Sequence, residues 1–93
     1  MRVKFRGVRG SVPWSVPQGI RHGCNTPCIE IYDERTGGIL VLDAGSGIVG
    51  VTPSLLSKEP RPVSLVLTHY HWDHLLGLPF FATLYQPGWD LSI

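Results

Sequence analysis

From Val3 to Val8 the chain alternates apolar with polar or small residues, the period-two pattern of a strand with one buried face. Gly10 to Thr26 carries Pro13, Pro17, Gly19 and Gly23 with few periodic apolar positions, so it reads as a long ordered loop, and such loops in compact domains tend to be functional. Alternation returns at Cys28-Ile29-Glu30-Ile31-Tyr32. Asp33 to Gly38 supplies a turn, and Ile39-Leu40-Val41-Leu42 is a continuous apolar run suited to a strand covered on both faces, so the two runs make a hairpin. Thr52-Pro53 has the form of an N-cap followed by proline at the first helical position, opening a short helix through Lys58 that Pro60 and Pro62 end. Val63 to Leu67 is a second near-continuous apolar strand, which makes hairpin, helix and strand a crossover of the βαβ kind. Leu75 to Leu78 starts a helical turn that Pro79 to Tyr85 continues, with Phe80, Phe81, Leu84 and Tyr85 at helical spacing as core residues. Pro87-Gly88 turns the chain, and Leu91-Ser92-Ile93 begins another strand. The expected class is α/β (α+β).

Composition narrows this in three ways. Ninety-three residues allow one small domain, and 43% apolar with 16% charged residues excludes disorder driven by low hydrophobicity and high charge. Eleven glycines and eight prolines mean many turns and short elements, which argues against a helical bundle. A domain of this size has little core, so a metal, a staple or a partner is expected to support it. The net charge of +1 gives no bulk field to hold nucleic acid or an anionic membrane, although it leaves nucleic acid open as a substrate. With no apolar segment long enough for a signal sequence or a bilayer span, the expectation is a cytoplasmic protein without a membrane partner. Cys24 and Cys28 are too few for a secreted disulfide scaffold and read as free thiols.

The chemistry concentrates at Thr68-His69-Tyr70-His71-Trp72-Asp73-His74, directly after an apolar strand. In extended chain, residues two apart point to the same side, so His69 and His71 can approach one ion together. Asp73 and His74 lie where the chain turns, aimed at a second point nearby. Imidazole favours zinc, iron or copper, and a carboxylate adds a hard oxygen and neutralising charge, so the spacing suits two neighbouring metals. Capping a following helix is compatible with ligation for Asp73. A metal-bound histidine needs its other ring nitrogen held, and Asp43, at the end of the preceding strand, is the best candidate; its alternative role is a turn or cap aspartate before Gly45 and Gly47.

This T-H-x-H-x-D-H run, preceded by Leu42-Asp43-Ala44-Gly45-Ser46-Gly47, resembles the metallo-β-lactamase superfamily of dinuclear metallohydrolases. Gly7-Val8-Arg9-Gly10-Ser11-Val12-Pro13, His22 to Cys28 and Leu75 to Phe81 look like its phosphodiesterase branch, which includes cyclic-nucleotide phosphodiesterases and ribonuclease Z. The resemblance implies that residues 1–93 are a partial domain, the truncated amino-terminal half of a four-layer αββα sandwich. It implies that His69 and His71 bind a first metal and Asp73 and His74 a second, with Asp73 the catalytic carboxylate and Asp43 in support. The cofactor implied is Zn2+, two ions per complete site, with iron or manganese as alternatives. A hydroxide bridging them attacks phosphorus in this reading.

Two departures from the branch bear on the site. Gly23-Cys24 stands where two glycines are usual before Asn25, which puts Cys24 in the neighbourhood of the site, and Pro27 replaces a small polar residue. After His74 the chain has no histidine, and Asp90 is its only later acidic residue, placed as in a surface turn. His22, in the loop, reads as solvated. The first expectation is therefore a metal-dependent phosphodiesterase completed by a carboxyl-terminal half. The second is a non-catalytic fragment or subunit that associates through its open sheet, and within enzymes a lactamase- or thioesterase-type hydrolase uses the same ligands.

Overall fold

The computed structural model describes residues 1–93. Five strands form one sheet in the order β1 (Arg2–Gly7), β2 (Cys28–Tyr32), β3 (Ile39–Leu42), β4 (Pro62–Val66) and β5 (Asp90–Ser92). The first three make an antiparallel meander, whereas β4 runs parallel to β3 and β5 parallel to β4. Parallel neighbours require crossovers. The first carries a 3₁₀ turn at Ser46–Gly50 and the helix α1 (Thr52–Leu56); the second carries the histidine run and three more 3₁₀ turns. Both crossovers pack on one face, where Ile48, Val51, Leu55 and Phe81 cover Val41, Val63 and Leu65. The chain is thus a mixed α/β unit, the class that the pattern of elements leads one to expect, with its hydrophobic core on one side of the sheet. No helix is long and apolar enough to cross a membrane.

The opposite face of the sheet has no layer. The pairing register sets Val3 and Phe5 beside Ile31 and Ile29, then Leu40 and Leu42, then Val66. Phe5 is 70% exposed and Val66 48%. The expected cover on both faces of β3 and β4 is therefore found on one only, and the apolar face of β1, expected to be buried, is exposed. Its apolar residues lie on the open side, while Arg2, Lys4 and Arg6 face the side that carries α1. Arg6 reaches Glu30, which is buried, with Nε 2.8 Å from Oε2, and it also donates to Ser54 at 2.8 Å. That pairing compensates a carboxylate that would be costly to bury alone.

Two helical expectations are corrected. α1 begins a residue earlier than a Thr52 cap would give, because Val51 (φ −76°, ψ −39°) is already helical and the preceding 3₁₀ turn runs directly into the helix. It ends at Leu56 rather than Lys58. No helix spans Leu75 to Tyr85. Leu78, Phe80, Phe81, Leu84 and Tyr85 each bond to a carbonyl three residues back, in turns at Leu78–Phe80 and Ala82–Leu84. Pro79 lacks an N–H, and the N–H of Gly77 goes instead to Ala44 O at 2.9 Å, so the segment docks on a loop and does not close its own ladder. With the helix gone, only Phe81 of the four expected aromatic and leucine core residues is buried; Phe80 and Tyr85 are 67% and 69% exposed.

Both cysteines are free. Cys28 is fully buried beneath the core, and burial, opposed by Arg6 and reinforced by Glu30 and Asp43, pushes its thiol up to about 12. Cys24 is half-buried, against Gly19 in the loop. At pH 8 an alkylating reagent should modify Cys24 and leave Cys28 untouched until the protein unfolds, as mass spectrometry of the native and denatured chain will read. Because the folded value lies above that of an ordinary thiol, the neutral thiol contributes stability that is complete below about pH 9 and is lost as the pH climbs toward 12.

Candidate metal-binding site

β3 and β4 end side by side, with Leu42 paired to Val66, so the turns that follow them share one edge of the sheet. Asp43 leaves β3 with its N–H on Val66 O at 2.9 Å and a positive φ of 62°. Strained backbone of this kind persists where surrounding contacts over-determine it. Here Thr68 supplies those contacts: one carboxylate oxygen of Asp43 accepts from the Thr68 N–H at 2.8 Å, and both lie 3.0 Å from Thr68 Oγ1. The next residues close the turn against the histidine run, with Ala44 N donating to His74 O at 2.8 Å and Gly45 N to Pro27 O at 2.9 Å. A β-carbon at Gly45 would lie 2.5 Å from both Asp73 O and Thr26 Oγ1, which is why the turn needs glycine there.

The network assigns a tautomer. Thr68 Oγ1 has one proton, the Asp43 carboxylate can only accept, and Oγ1 also lies 3.0 Å from His69 Nδ1. The consistent arrangement has the hydroxyl donating to Asp43 and His69 Nδ1–H donating to the hydroxyl. His69 Nε2 then keeps its lone pair, the form in which imidazole binds metal. His74 Nδ1 sits 3.0 Å from Asp43 Oδ2, close but out of alignment, so it counts as a buried nitrogen without a hydrogen-bond partner. The imidazoles themselves are gathered: ring centroids of His69 and His71 are 4.5 Å apart, and those of His69 and His74 4.1 Å. Asp73 Oδ2 is 3.6 Å from His74 Nε2.

Asp73 has a second contact that nothing in the sequence announces. The N–H of Ser11, from the long loop, donates to Asp73 Oδ2 at 3.0 Å, and this bond, helped by the neighbouring His74 and His71, holds the carboxyl below the usual carboxylate range. Ser11 adopts a φ of 67°, another left-handed non-glycine residue at the same site. Its only sequence signal is a small residue after Gly10 in a loop rich in turn formers. Thr26 is the other such residue, fully buried, exchanging bonds with Ser46 at 2.8 and 2.9 Å and so fastening the loop to the Asp43 turn. His22 is exposed in the loop, and Asp90 is exposed at the start of β5.

Three imidazoles and a carboxylate with one ring nitrogen free are the donors a zinc- or iron-type ion takes, so the chemistry of the set fits. The number does not suffice. No three His, Cys, Asp or Glu side chains gather closely enough to hold an ion by themselves.

Fold and site together match one family. The profile of the Metallo-beta-lactamase superfamily covers residues 22–91, and the chain belongs to that superfamily, whose members are generally metal-dependent. Over 85 residues, 85% of the chain, it is 34% identical to a ribonuclease Z from Pyrobaculum arsenaticum, in agreement with the ribonuclease Z-like branch read from the sequence. The chain spans about a quarter of that relative, the match covering 25% of its length. No solved structure matches.

Proposed function

We propose that this chain is the histidine-bearing, amino-terminal portion of a metal-dependent hydrolase that cleaves phosphodiester bonds, RNA being the favoured substrate type. The observation that carries the reading is the Asp43–Thr68–His69 chain of contacts, which leaves His69 Nε2 with its lone pair on a ring packed beside those of His71 and His74. The similarity to a ribonuclease Z supports the phosphodiester over the lactamase- or thioesterase-type alternative. In this reading His69 and His71 hold one ion and Asp73 and His74 another, zinc for preference, with iron or manganese as alternatives. When bound, the metals supply Lewis-acid polarisation of the phosphoryl group and activation of water near neutral pH. The protein's own part is positional. Asp43 fixes Thr68 and, through it, His69; the Ser11 N–H fixes the Asp73 carboxylate; ligands missing from this chain come from further sequence. Two free thiols suit a cytoplasmic location.

The test extends the chain with its natural downstream sequence and measures metal content together with hydrolysis of a generic phosphodiester and of a short RNA. Metal-dependent cleavage that falls by at least about a hundredfold in His69→Ala is expected, the scale on which positioned catalytic groups act. Chelator-insensitive hydrolysis, or an unchanged rate in His69→Ala, sinks the reading.

A second reading rests on the open sheet face: the 93 residues act as a non-catalytic subunit that self-associates. Bare Phe5, Val3 and Val66 favour association by the area they leave in water. Light scattering should then report oligomers that Phe5→Glu disperses. A monomer at all concentrations with a cooperative melt removes this alternative.

A further inference from the structure

We propose that the cleft between β1, β2 and the end of α1 is a binding site for a phosphate monoester. It lies at the far end of the sheet from the histidines. The row Arg2–Tyr32–Ile39–Val63 marks the start of β3 and β4, whereas the histidine run follows their ends. Arg2 and Lys4, two residues apart on β1, project to the same side. Across from them stand Tyr32 and Glu30, and Ser57 with Lys58, just past the end of α1, closes the cleft.

The charges in this cleft do not cancel. Glu30 is already paired with Arg6, Nε lying 2.8 Å from Oε2, and Ser54 Oγ lies 3.1 Å from its other oxygen. Arg2 uses only Nη2, on Glu34 at 2.8 Å, so its remaining N–H groups are free. Neither Lys4 nor Lys58 has a carboxylate within ion-pair distance. Lys58 is fixed instead, its Nζ 3.8 Å above the Tyr32 ring. Gathering like charges in one cleft is destabilising on its own, and an anion seated among them removes that repulsion. Two unpaired ammonium groups and a free guanidinium edge match a dianion with several acceptor oxygens better than they match a single carboxylate. The ligand class is therefore a phosphate monoester, reaching the cleft as free phosphate, as a nucleoside monophosphate or as the phosphorylated end of a nucleic-acid strand.

The inference does not depend on the metal reading, and chelator in the buffer keeps the two apart. Backbone amide spectra of the chain are recorded against inorganic phosphate, a nucleoside monophosphate, and an oligoribonucleotide with or without a 5′-phosphate, at matched ionic strength. Shifts confined to Arg2–Arg6, Tyr32 and Ser57–Lys58 are expected. Lys4→Gln and Lys58→Gln should each weaken binding roughly tenfold, the scale of one charged hydrogen bond, while Lys4→Arg and Lys58→Arg keep it. A 5′-phosphorylated strand binding more tightly than free phosphate identifies the strand end as the source, and the reverse identifies a small metabolite. Both outcomes support the site. Shifts spread over the surface, a response equal to that of chloride, a folded double Lys→Gln variant that binds as before, or binding of the unphosphorylated strand alone would overturn it.

Discussion

Gly77→Ala should leave the chain unable to fold at 25 °C. A β-carbon at residue 77 would lie 2.1 Å from the carbonyl oxygen of Gly45 and 2.7 Å from Ile48 Cγ2, and the first of these is main chain. Gly45 cannot give way, because its own Cα faces Asp73 O, Thr26 Oγ1 and Pro27 O at distances that already exclude a methyl group. Nor can residue 77 withdraw without losing the 2.9 Å bond from its N–H to Ala44 O. Overpacking against side chains costs about 1–3 kcal/mol, and against two pinned backbone segments the cost is at the upper end or beyond. A domain this small has only a few kcal/mol to lose. Gly10→Ala is the matched control: nothing lies within 4 Å of the added carbon, and its effect should stay within about 0.5 kcal/mol. Circular dichroism melts of the two variants read the difference directly. If Gly77→Ala melts within a degree or two of the parent, the docking of the histidine run on the Asp43 turn is wrong.

The contrast between these glycines also explains what was legible in the sequence and what was not. Alternation and apolar runs located all five strands, and the parallel crossover followed from a helix between two apolar runs. Local pattern failed where the partner of a backbone group is remote. Leu75 to Tyr85 has helical spacing, yet the Gly77 N–H is satisfied by Ala44, more than thirty residues earlier, and the helix gives way to 3₁₀ turns. The same blindness applies to Ser11, whose contact with Asp73 spans 62 residues. The facing of β1 is hidden in the sequence for another reason. Alternation states that one face is apolar but not which layer it meets, and here Val3 and Phe5 belong to the uncovered side. The four candidate ligands were readable because they are contiguous, and Asp43 because it ends the neighbouring strand; their mutual geometry was not.

Asp43→Ala should be the most damaging single change at the histidine site, and comparison with Asp43→Asn separates its causes. Alanine removes the acceptor of the Thr68 N–H and hydroxyl, leaves His74 Nδ1 without its neighbouring charge, and forces a β-carbon residue to hold φ 62°. Leaving the buried Thr68 donors without an acceptor costs about 1–3 kcal/mol each. Asparagine tolerates the left-handed conformation and retains one oxygen for Thr68, so its cost should be nearer 1–2 kcal/mol. Urea titrations of both variants check the order. The functional consequence is sharper in Thr68→Val, which keeps Asp43 but breaks the link to His69. In the parent, His69 should carry its proton on Nδ1, with Nε2 free, since Nδ1 has Thr68 Oγ1 at 3.0 Å as its acceptor. Without the hydroxyl that preference disappears, and imidazole nitrogen-15 shifts should move toward the mixture of tautomers seen in solvated histidine. Identical nitrogen shifts in the parent and in Thr68→Val would mean that Asp43 supports only the fold and that no residue of this chain prepares His69 to bind metal.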